Sequence, residues 1–113
     1  MSKRSKACAI PKEVKAKVYR RDNERCVGCG RWVPERCACA HFIARAHGGL
    51  GIEENIVTLC DDCHRAMDHE AGERSEGIRL SVYTHLQALY GAERITREQL
   101  VYDKWKGITD AWN

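Results

Sequence analysis

Apolar residues near the start of the chain recur at the spacing of a helix. Val14 and Val18 lie four positions apart among lysines, and Pro11 suits the first position of a helix. The pair Asp22-Asn23 then interrupts the pattern. We therefore predict a helix that begins at Pro11 and ends before the first cysteine pair. Residues 1–10 carry no periodic pattern and are expected to be a flexible basic arm.

The second half of the chain predicts further helices, separated by glycines. Acidic residues at the start of segment 61–70 favour the dipole of a helix there. A second helix is predicted over 76–90, between the break at Ala71-Gly72 and the stop at Gly91. Its apolar stripe is expected to pack into the core and consists of Leu80, Tyr83, Leu86, Leu89 and Tyr90.

A capping box opens one more helix near the end of the chain. Thr96 and Gln99 have the spacing of that motif, and the short helix after them is expected to carry Leu100, Trp105 and Ile108. The helical extension is placed at 75–108. Because no repeat or linker divides the chain, residues 11–113 are interpreted as one domain.

Short runs typical of β-structure lie between the helices. Residues 37–43 are expected to form a strand despite their alanines, and the β-branched run 56–59 predicts a second strand. Three glycines within 47–51 require a loop between them. Segregated strands and helices of this kind predict a small α+β fold.

The size and composition of the chain restrict its class. A chain of 113 residues buries little apolar surface, so a metal ion would help it to fold. No apolar run approaches the roughly 20 residues of a membrane-spanning helix, and the charged start lacks the apolar core of a secretory signal. We expect a cytoplasmic protein without a membrane partner.

Charge is distributed unevenly along the chain. Up to Arg25 there are nine basic and three acidic residues, a net charge of +6, whereas the remainder carries −3 of the total +3. A basic arm of this kind suits contacts with a phosphate backbone, and Arg20 and Arg21 are candidates for them. A solvated tail that only keeps the protein soluble is the alternative.

The cysteines indicate a metal site rather than disulfides. Seven is an odd number, and four of the seven form two Cys-x-x-Cys pairs that are thirty residues apart, Cys26/Cys29 and Cys60/Cys63. Four thiolates suit the closed tetrahedral shell of one structural Zn²⁺. Cys8, Cys37 and Cys39 are expected to be small buried hydrophobic residues. A redox role for the pairs is disfavoured, because two pairs can close on one ion.

Between the pairs, the sequence resembles the HNH endonuclease family, the ββα-metal nucleases, and especially its phage and prophage members. The resemblance covers about 26–69 and rests on these elements in order: Cys26-x-x-Cys29, Ala40-His41-Phe42-Ile43, His47-Gly48-Gly49, Glu54-Asn55-Ile56-Val57 and Cys60-x-x-Cys63-His64. It implies a ββα-metal finger with a four-cysteine zinc site, flanked by an N-terminal helix and C-terminal helices. It also implies cleavage of DNA phosphodiester bonds, as a nickase or as a dimer that cuts both strands.

The resemblance implies a role for each matching residue. His41 is expected to be the general base that takes a proton from the attacking water. Asn55 is expected to hold the loop that orients this base, or to contact the metal. His64 is expected to bind a catalytic Mg²⁺ or Mn²⁺ that stabilises the leaving 3′-oxygen.

One position departs from the family pattern. Many members carry a metal-binding residue directly before the general base, where this chain has Ala40. Asp68 is a candidate replacement, because it lies one helical turn after His64 on the same face. A solvated charge is the alternative for Asp68, and His41 as a metal ligand is another. His69 is one residue out of phase and is expected to point elsewhere unless the helix has ended.

Weaker candidates complete the predicted site. Arg45, His47 and Arg65 are expected to meet a backbone phosphate of double-stranded DNA, with ordinary surface polarity as the alternative. A second functional hypothesis is a zinc module that binds nucleic acid or protein, its nuclease activity impaired at Ala40. Proteins of this type commonly accompany phage packaging genes, so a homodimer or a packaging protein is an expected partner.

Overall fold

The computed structural model describes residues 2–37 and 39–104. These residues form five α-helices and a two-stranded antiparallel sheet, which confirms the predicted α+β class. The helices are α1 (Lys3–Cys8), α2 (Lys12–Arg21), α3 (Asp61–His69), α4 (Glu73–Tyr90) and α5 (Arg97–Leu100). The strands are β1 (Ala40–His41) and β2 (Ile56–Val57). Within the described part of the chain, no helix is long and apolar enough to cross a membrane.

The sheet is shorter than the sequence pattern predicted. Its register pairs Ala40 with Val57 and His41 with Ile56. Glu35–Cys37, within or beside the predicted strand, is a 3₁₀ turn instead. Beyond His41, the N–H of Phe42 still donates to the carbonyl oxygen of Asn55 (2.7 Å), but the next N–H, that of Ile43, donates to the side-chain Oδ1 of Asn55 (2.8 Å). The loop after β1 therefore turns away from the sheet close to His41.

The first residues of the chain are helical, which corrects the prediction of an irregular arm. Ser2 caps α1, since its side chain accepts a hydrogen bond from the backbone N–H of Ser5 (3.1 Å). The end of α1 is anchored in the protein, because Cys8 is buried and the N–H of Gly51 donates to the carbonyl oxygen of Ala7 (2.9 Å). These contacts come from a distant loop, so no periodic pattern within 1–10 predicts them.

A buried ion pair at the end of α2 ties this helix to the sheet. The guanidinium of Arg21 donates to the Asp22 carboxylate (2.8 and 3.1 Å) and to the carbonyl oxygens of Glu53 (2.8 Å) and Ile56 (2.7 Å). The prediction of Arg21 as a nucleic-acid contact is therefore wrong, because its donors are used inside the fold. Arg20, by contrast, is exposed on α2.

Asp22 receives two further hydrogen bonds, which connect the ion pair to α4 and β2. The backbone N–H of Thr58 donates to it (2.9 Å), and Nε2 of His85 lies 2.6 Å from its carboxylate. Burial opposes ionisation of Asp22, but His85 and Arg21 outweigh burial and lower its pKa below the usual value. The buried carboxylate is thus held in its charged form.

Helix α4 covers the core, but with a different face from the one that the sequence pattern predicted. Its buried residues are Ser75, Ile78, Val82 and Leu86, whereas Leu80 and Leu89 are 65% and 46% exposed. Packing against α3 sets this phase, because positions 75, 78, 82 and 86 share the side that meets α3 and the sheet. Among the residues of the predicted stripe, Leu86 is fully buried. Tyr83 and Tyr90 are partly buried and pack against the edge of the core.

The last short helix begins as predicted. The side chain of Thr96 accepts a hydrogen bond from the backbone N–H of Gln99 (3.3 Å), and Leu100 is fully buried. After α5, Val101 bridges to Gly49 and the N–H of Tyr102 donates to the carbonyl oxygen of Gly48 (2.8 Å). The predicted helical positions Trp105 and Ile108 lie outside the described residues.

Candidate functional site

Four cysteines from distant parts of the chain meet at one point. The sulfur atoms of Cys26, Cys29, Cys60 and Cys63 all lie within 4.8 Å of one another, and those of Cys29 and Cys60 are 3.8 Å apart. Two sulfurs that bind one zinc ion at about 2.3 Å and a tetrahedral angle are about 3.8 Å apart. The cluster therefore fits a zinc ion, as the spacing of the pairs predicted.

The turns around this cluster are built for thiolate ligands. The backbone N–H groups of Cys29 and Cys63 each point at the sulfur three residues earlier (3.4 Å in both turns). Burial opposes ionisation of Cys26, but the surrounding backbone N–H groups outweigh burial and lower its pKa to about 7. Burial and the neighbouring sulfurs raise the pKa of Cys60 and Cys63, so the four thiols share their ionisation unequally. The chain packs tightly at Gly28, because a Cβ there would lie 3.1 Å from the sulfur of Cys63 and would require a shift of a few tenths of an ångström.

The cysteine cluster sets the position of α3. The Cys60 sulfur caps this helix, Cys63 lies in its first turn, and the N–H of His64 donates to the carbonyl oxygen of Cys60 (2.9 Å). An ion bound by the cluster therefore fixes the start of the helix and, one residue later, the imidazole of His64.

A cleft of about 630 Å³ lies between α3 and the segment that follows β1. One wall is formed by His41 and residues 43–47, and the other by His64, Asp68 and His69 of α3. Arg79 of α4 and Arg97 of α5 also line it. A neutral imidazole, a candidate metal-binding pair and several cations thus share one open space.

His41 lines this cleft, and one of its ring nitrogens is in a hydrogen bond. Its Nε2 lies 2.8 Å from the carbonyl oxygen of Cys8. Burial lowers the pKa of His41, the charges of Arg45 and His64 add to this effect, and the Cys8 carbonyl and Asp68 oppose it. Since a carbonyl oxygen only accepts hydrogen bonds, the neutral ring carries its proton on Nε2, and Nδ1 is the basic nitrogen.

His64 and Asp68 form the opposite side of the cleft. Nε2 of His64 lies 3.0 Å from Oδ2 of Asp68, as expected for residues one helical turn apart. One imidazole nitrogen and one carboxylate oxygen at this distance suit a divalent cation whose other ligands are water and phosphate oxygens. His69, the last residue of α3, also lines the cleft, which corrects the expectation that it points elsewhere.

Residues 26–70 match a family model described as HNH endonuclease. This segment, 45 of the 113 residues, is therefore similar to the HNH endonuclease family. No curated protein and no solved structure matches the chain at the required significance. The HNH segment contains both cysteine pairs, β1, β2 and α3, whereas α1, α2, α4 and α5 lie outside it. The family model therefore confirms the resemblance that the sequence motifs indicated. The four clustered cysteines lie within the matched segment.

Asn55 of the HNH segment is fully buried and holds the loop next to His41. Its side-chain amide donates to the carbonyl oxygens of Ile43 (3.2 Å) and Leu50 (2.9 Å), and its Oδ1 accepts from the N–H of Ile43. Of the two roles expected for Asn55, this geometry favours the loop-holding role, because the side chain is used by the backbone of the loop.

Ala40, the departure from the HNH pattern, faces the core. It is 1% exposed and pairs with Val57, so its side chain lies on the opposite face of β1 from the cleft. A longer side chain at this position would be buried rather than presented to a metal ion. The candidate ligands that the structure brings together are therefore on α3.

The basic residues predicted for the HNH segment are distributed around the cleft. Arg45 and His47 are exposed and line it. Arg65 is exposed beside His64 and Asp68, where it donates to Asp62 (3.2 Å). Arg20 does not contribute to the lining.

Two arginines in the cleft were missed by sequence reasoning. Arg79 and Arg97 lie outside the HNH segment, and nothing in their local sequence marks them. Arg79 donates to the carbonyl oxygens of Phe42 (3.2 Å), next to His41, and Met67 (3.3 Å), next to Asp68. It therefore connects the two walls of the cleft.

The remaining cysteines agree in part with the prediction of buried residues. Cys8 is buried, whereas Cys37 and Cys39 are only half-buried. Burial raises the pKa of Cys39, which keeps this thiol protonated at neutral pH.

Proposed function

We propose that this protein is a metal-dependent endonuclease that hydrolyses phosphodiester bonds of DNA. The observation that carries the proposal is the cleft itself, in which His41 faces the pair His64 and Asp68 across a space lined by cations. The proposal extends the general nuclease function of the HNH family to a reaction at named residues.

His41 is the general base in this proposal. Its lowered pKa keeps the ring neutral at pH 7, and Nδ1 is the nitrogen that takes a proton from water. The water oxygen forms a bond to phosphorus while the bond from phosphorus to the 3′-oxygen breaks. The leaving 3′-oxygen takes a proton from solvent water, so the products are a 5′-phosphate and a 3′-hydroxyl.

His64 and Asp68 are the residues that would hold the catalytic Mg²⁺ or Mn²⁺. When bound, such an ion would supply positive charge that stabilises the phosphate group and the leaving 3′-oxygen. A zinc ion held by the four cysteines would, in contrast, have a closed shell of thiolates, so the role of that site in this proposal is to position α3.

The basic residues of the cleft favour a nucleic-acid substrate. Arg45, His47 and Arg97 are exposed on its lining, and Arg65 lies next to it. Their contacts would be to the phosphate backbone of double-stranded DNA and independent of base sequence. One cleft per chain produces a nick, and a cut through both strands needs a second copy. We retain the expectation of a cytoplasmic setting, bacterial or phage, with another copy or a phage packaging protein as a further partner.

A second candidate function is supported by Ala40. Without a metal ligand at this position, the fold would act as a zinc module that binds nucleic acid or protein without cleaving DNA. The two candidates differ in metal-dependent cleavage but share the zinc site and the basic surface.

Supercoiled plasmid tests the nuclease proposal. Zinc-loaded protein is incubated with Mg²⁺, Mn²⁺ or chelator, alongside His41→Ala and the exposed-histidine control His47→Ala. We expect metal-dependent nicking that falls by roughly 100-fold or more in His41→Ala but only a few-fold in His47→Ala. Equal nicking by wild type and His41→Ala would end the enzyme interpretation. Binding of DNA without nicking under any metal would favour the non-catalytic module.

A further inference from the structure

Helix α1 packs against the loop that carries the cleft residues, although it lies outside the HNH segment. The guanidinium of Arg4 donates to the carbonyl oxygen of Ala46 (3.2 Å), and that of Arg45 donates to the carbonyl oxygen of Ser5 (3.3 Å). The N–H of Gly51 donates to the carbonyl oxygen of Ala7 (2.9 Å). These bonds hold α1 along both ends of the loop after β1.

The last residue of α1 reaches His41 directly. The carbonyl oxygen of Cys8 lies 2.8 Å from Nε2 of His41, and the Cys8 side chain is 1% exposed. In a helix, the carbonyl groups of the last turn have no partner within the helix. The carbonyl oxygen at the end of α1 is therefore free to accept a hydrogen bond from the protonated nitrogen of the neutral imidazole.

Gly51 permits this close approach. A Cβ at this position would overlap the carbonyl oxygen of Ala9 and lie 3.1 Å from that of Cys8. The atoms that such a Cβ would meet belong to the end of α1, and the φ angle of Gly51 is outside the left-handed region. A substitution at Gly51 therefore acts on the docking of α1 rather than on the conformation of the loop.

The charges of α1 connect its docking with the substrate. Its charged residues are Lys3, Arg4 and Lys6, with no acidic residue among them, and Arg45 lies across the contact. The cations on the two sides repel each other in the free protein. A phosphate backbone bound beside them would weaken that repulsion and so favour the docked helix.

We propose that α1 is a positioning element of the catalytic site, which holds His41 through the carbonyl oxygen of Cys8 and leaves Nδ1 as its basic nitrogen. The proposal rests on the proposed nuclease function for its kinetic consequence. The tautomer of His41 is independent of that function. A helix outside the HNH segment thereby determines which nitrogen of the base is available.

The test uses the full chain with Gly51→Ala, and Gly77→Ala is the matched control because a Cβ at Gly77 meets no atom within 4 Å. Nitrogen-15 NMR of labelled histidine measures the tautomer of His41, and plasmid nicking measures kcat and KM. Circular dichroism and zinc content show whether each variant is folded.

We expect wild type and Gly77→Ala to hold His41 as the Nε2–H tautomer. In Gly51→Ala the tautomers should mix, and kcat should fall about 10- to 100-fold with little change in KM, as for other groups that orient a catalytic imidazole. An Nδ1–H tautomer in wild type would overturn the proposal, as would a folded Gly51→Ala variant with unchanged tautomer and kcat. If wild type does not nick DNA, the proposed function fails, while the NMR result still decides the role of α1. If Gly51→Ala does not fold, the wild-type tautomer alone decides it.

Discussion

Nε2 of His64 lies 3.0 Å from Oδ2 of Asp68, one turn further along α3. This pair is the closest association of an imidazole with a carboxylate among the residues that line the cleft. Ala40, at the position where many HNH proteins have a ligand, is buried in the core. The account of the site therefore depends on α3 supplying both protein ligands of the catalytic ion.

The zinc cluster should be essential for the fold. Cys63→Ser removes one of four ligands, and structural zinc contributes apparent free energies of about 10–16 kcal/mol, comparable to the whole stability of a small domain. We expect this variant to lose zinc and most of its helical circular dichroism. Cys37→Ser changes a cysteine outside the cluster. This variant should keep one equivalent of zinc, and its melting temperature should lie within a few degrees of that of wild type. Retention of equimolar zinc by a folded Cys63→Ser variant would contradict the assignment.

The activity should depend on pH through His41. Because burial lowers the pKa of this residue, the ring loses its proton below the ordinary value of 6.5. As the pH falls through that lowered pKa, His41 becomes protonated and can no longer accept a proton from water. The acid limb of kcat/KM should therefore have its midpoint below pH 6.5. A midpoint above 6.5, or the same limb in the residual activity of His41→Ala, would contradict the role of His41 as the base.

Asn55 should matter for both stability and catalysis. Asn55→Ala removes the side-chain partners of the partly buried N–H and carbonyl of Ile43 and of the carbonyl of Leu50. Buried groups without partners cost about 1–3 kcal/mol each, so we expect a loss of about 3 kcal/mol in the free energy of unfolding. Urea denaturation measures this, with the exposed Gln87→Ala as the control. A loss below about 0.5 kcal/mol would show that water or loop movement satisfies these groups.

The two cleft arginines should separate binding from catalysis. Arg97→Gln is expected to weaken DNA binding and reduce the slope of log K against log salt by about 0.9, the value for one phosphate contact. Arg79→Gln should in addition lower kcat, because it releases the carbonyl oxygens of Phe42 and Met67. Arg31→Gln, an equal change of charge outside the cleft, is the control. Equal effects of all three variants would mean that the cleft lining has no special contact with DNA.

The features that sequence reasoning predicted well are local ones. Each Cys-x-x-Cys turn depends on its own spacer, and α3 follows from the cysteines and acidic residues at its start. The cap of α5 by Thr96 is equally local. Such features need no knowledge of the rest of the fold, because the interacting groups lie within a few positions of each other.

The features that were missed depend on contacts between distant segments. The carbonyl of Cys8 and the imidazole of His41 are thirty-three positions apart, and Arg21 is buried by groups more than thirty positions away. Basic residues near the start of a chain look alike in sequence, whether they bind a phosphate or a buried carboxylate. The phase of α4 was wrong for Leu80 because its packing partner, not its own pattern, selects the buried face.

The most direct test of the account is paramagnetic broadening by Mn²⁺ in zinc-loaded protein with nitrogen-15-labelled histidine, because the effect falls steeply with distance from the ion. We expect small amounts of Mn²⁺ to broaden the histidines that line the cleft, with His41 and His64 among them. His85, which is paired with Asp22 outside the cleft, should stay sharp. Asp68→Asn should weaken Mn²⁺ binding by about 10- to 100-fold and remove the selective broadening at the same concentration. Equal broadening of His41 and His85, or unchanged binding in Asp68→Asn, would contradict a catalytic ion held on α3 beside His41.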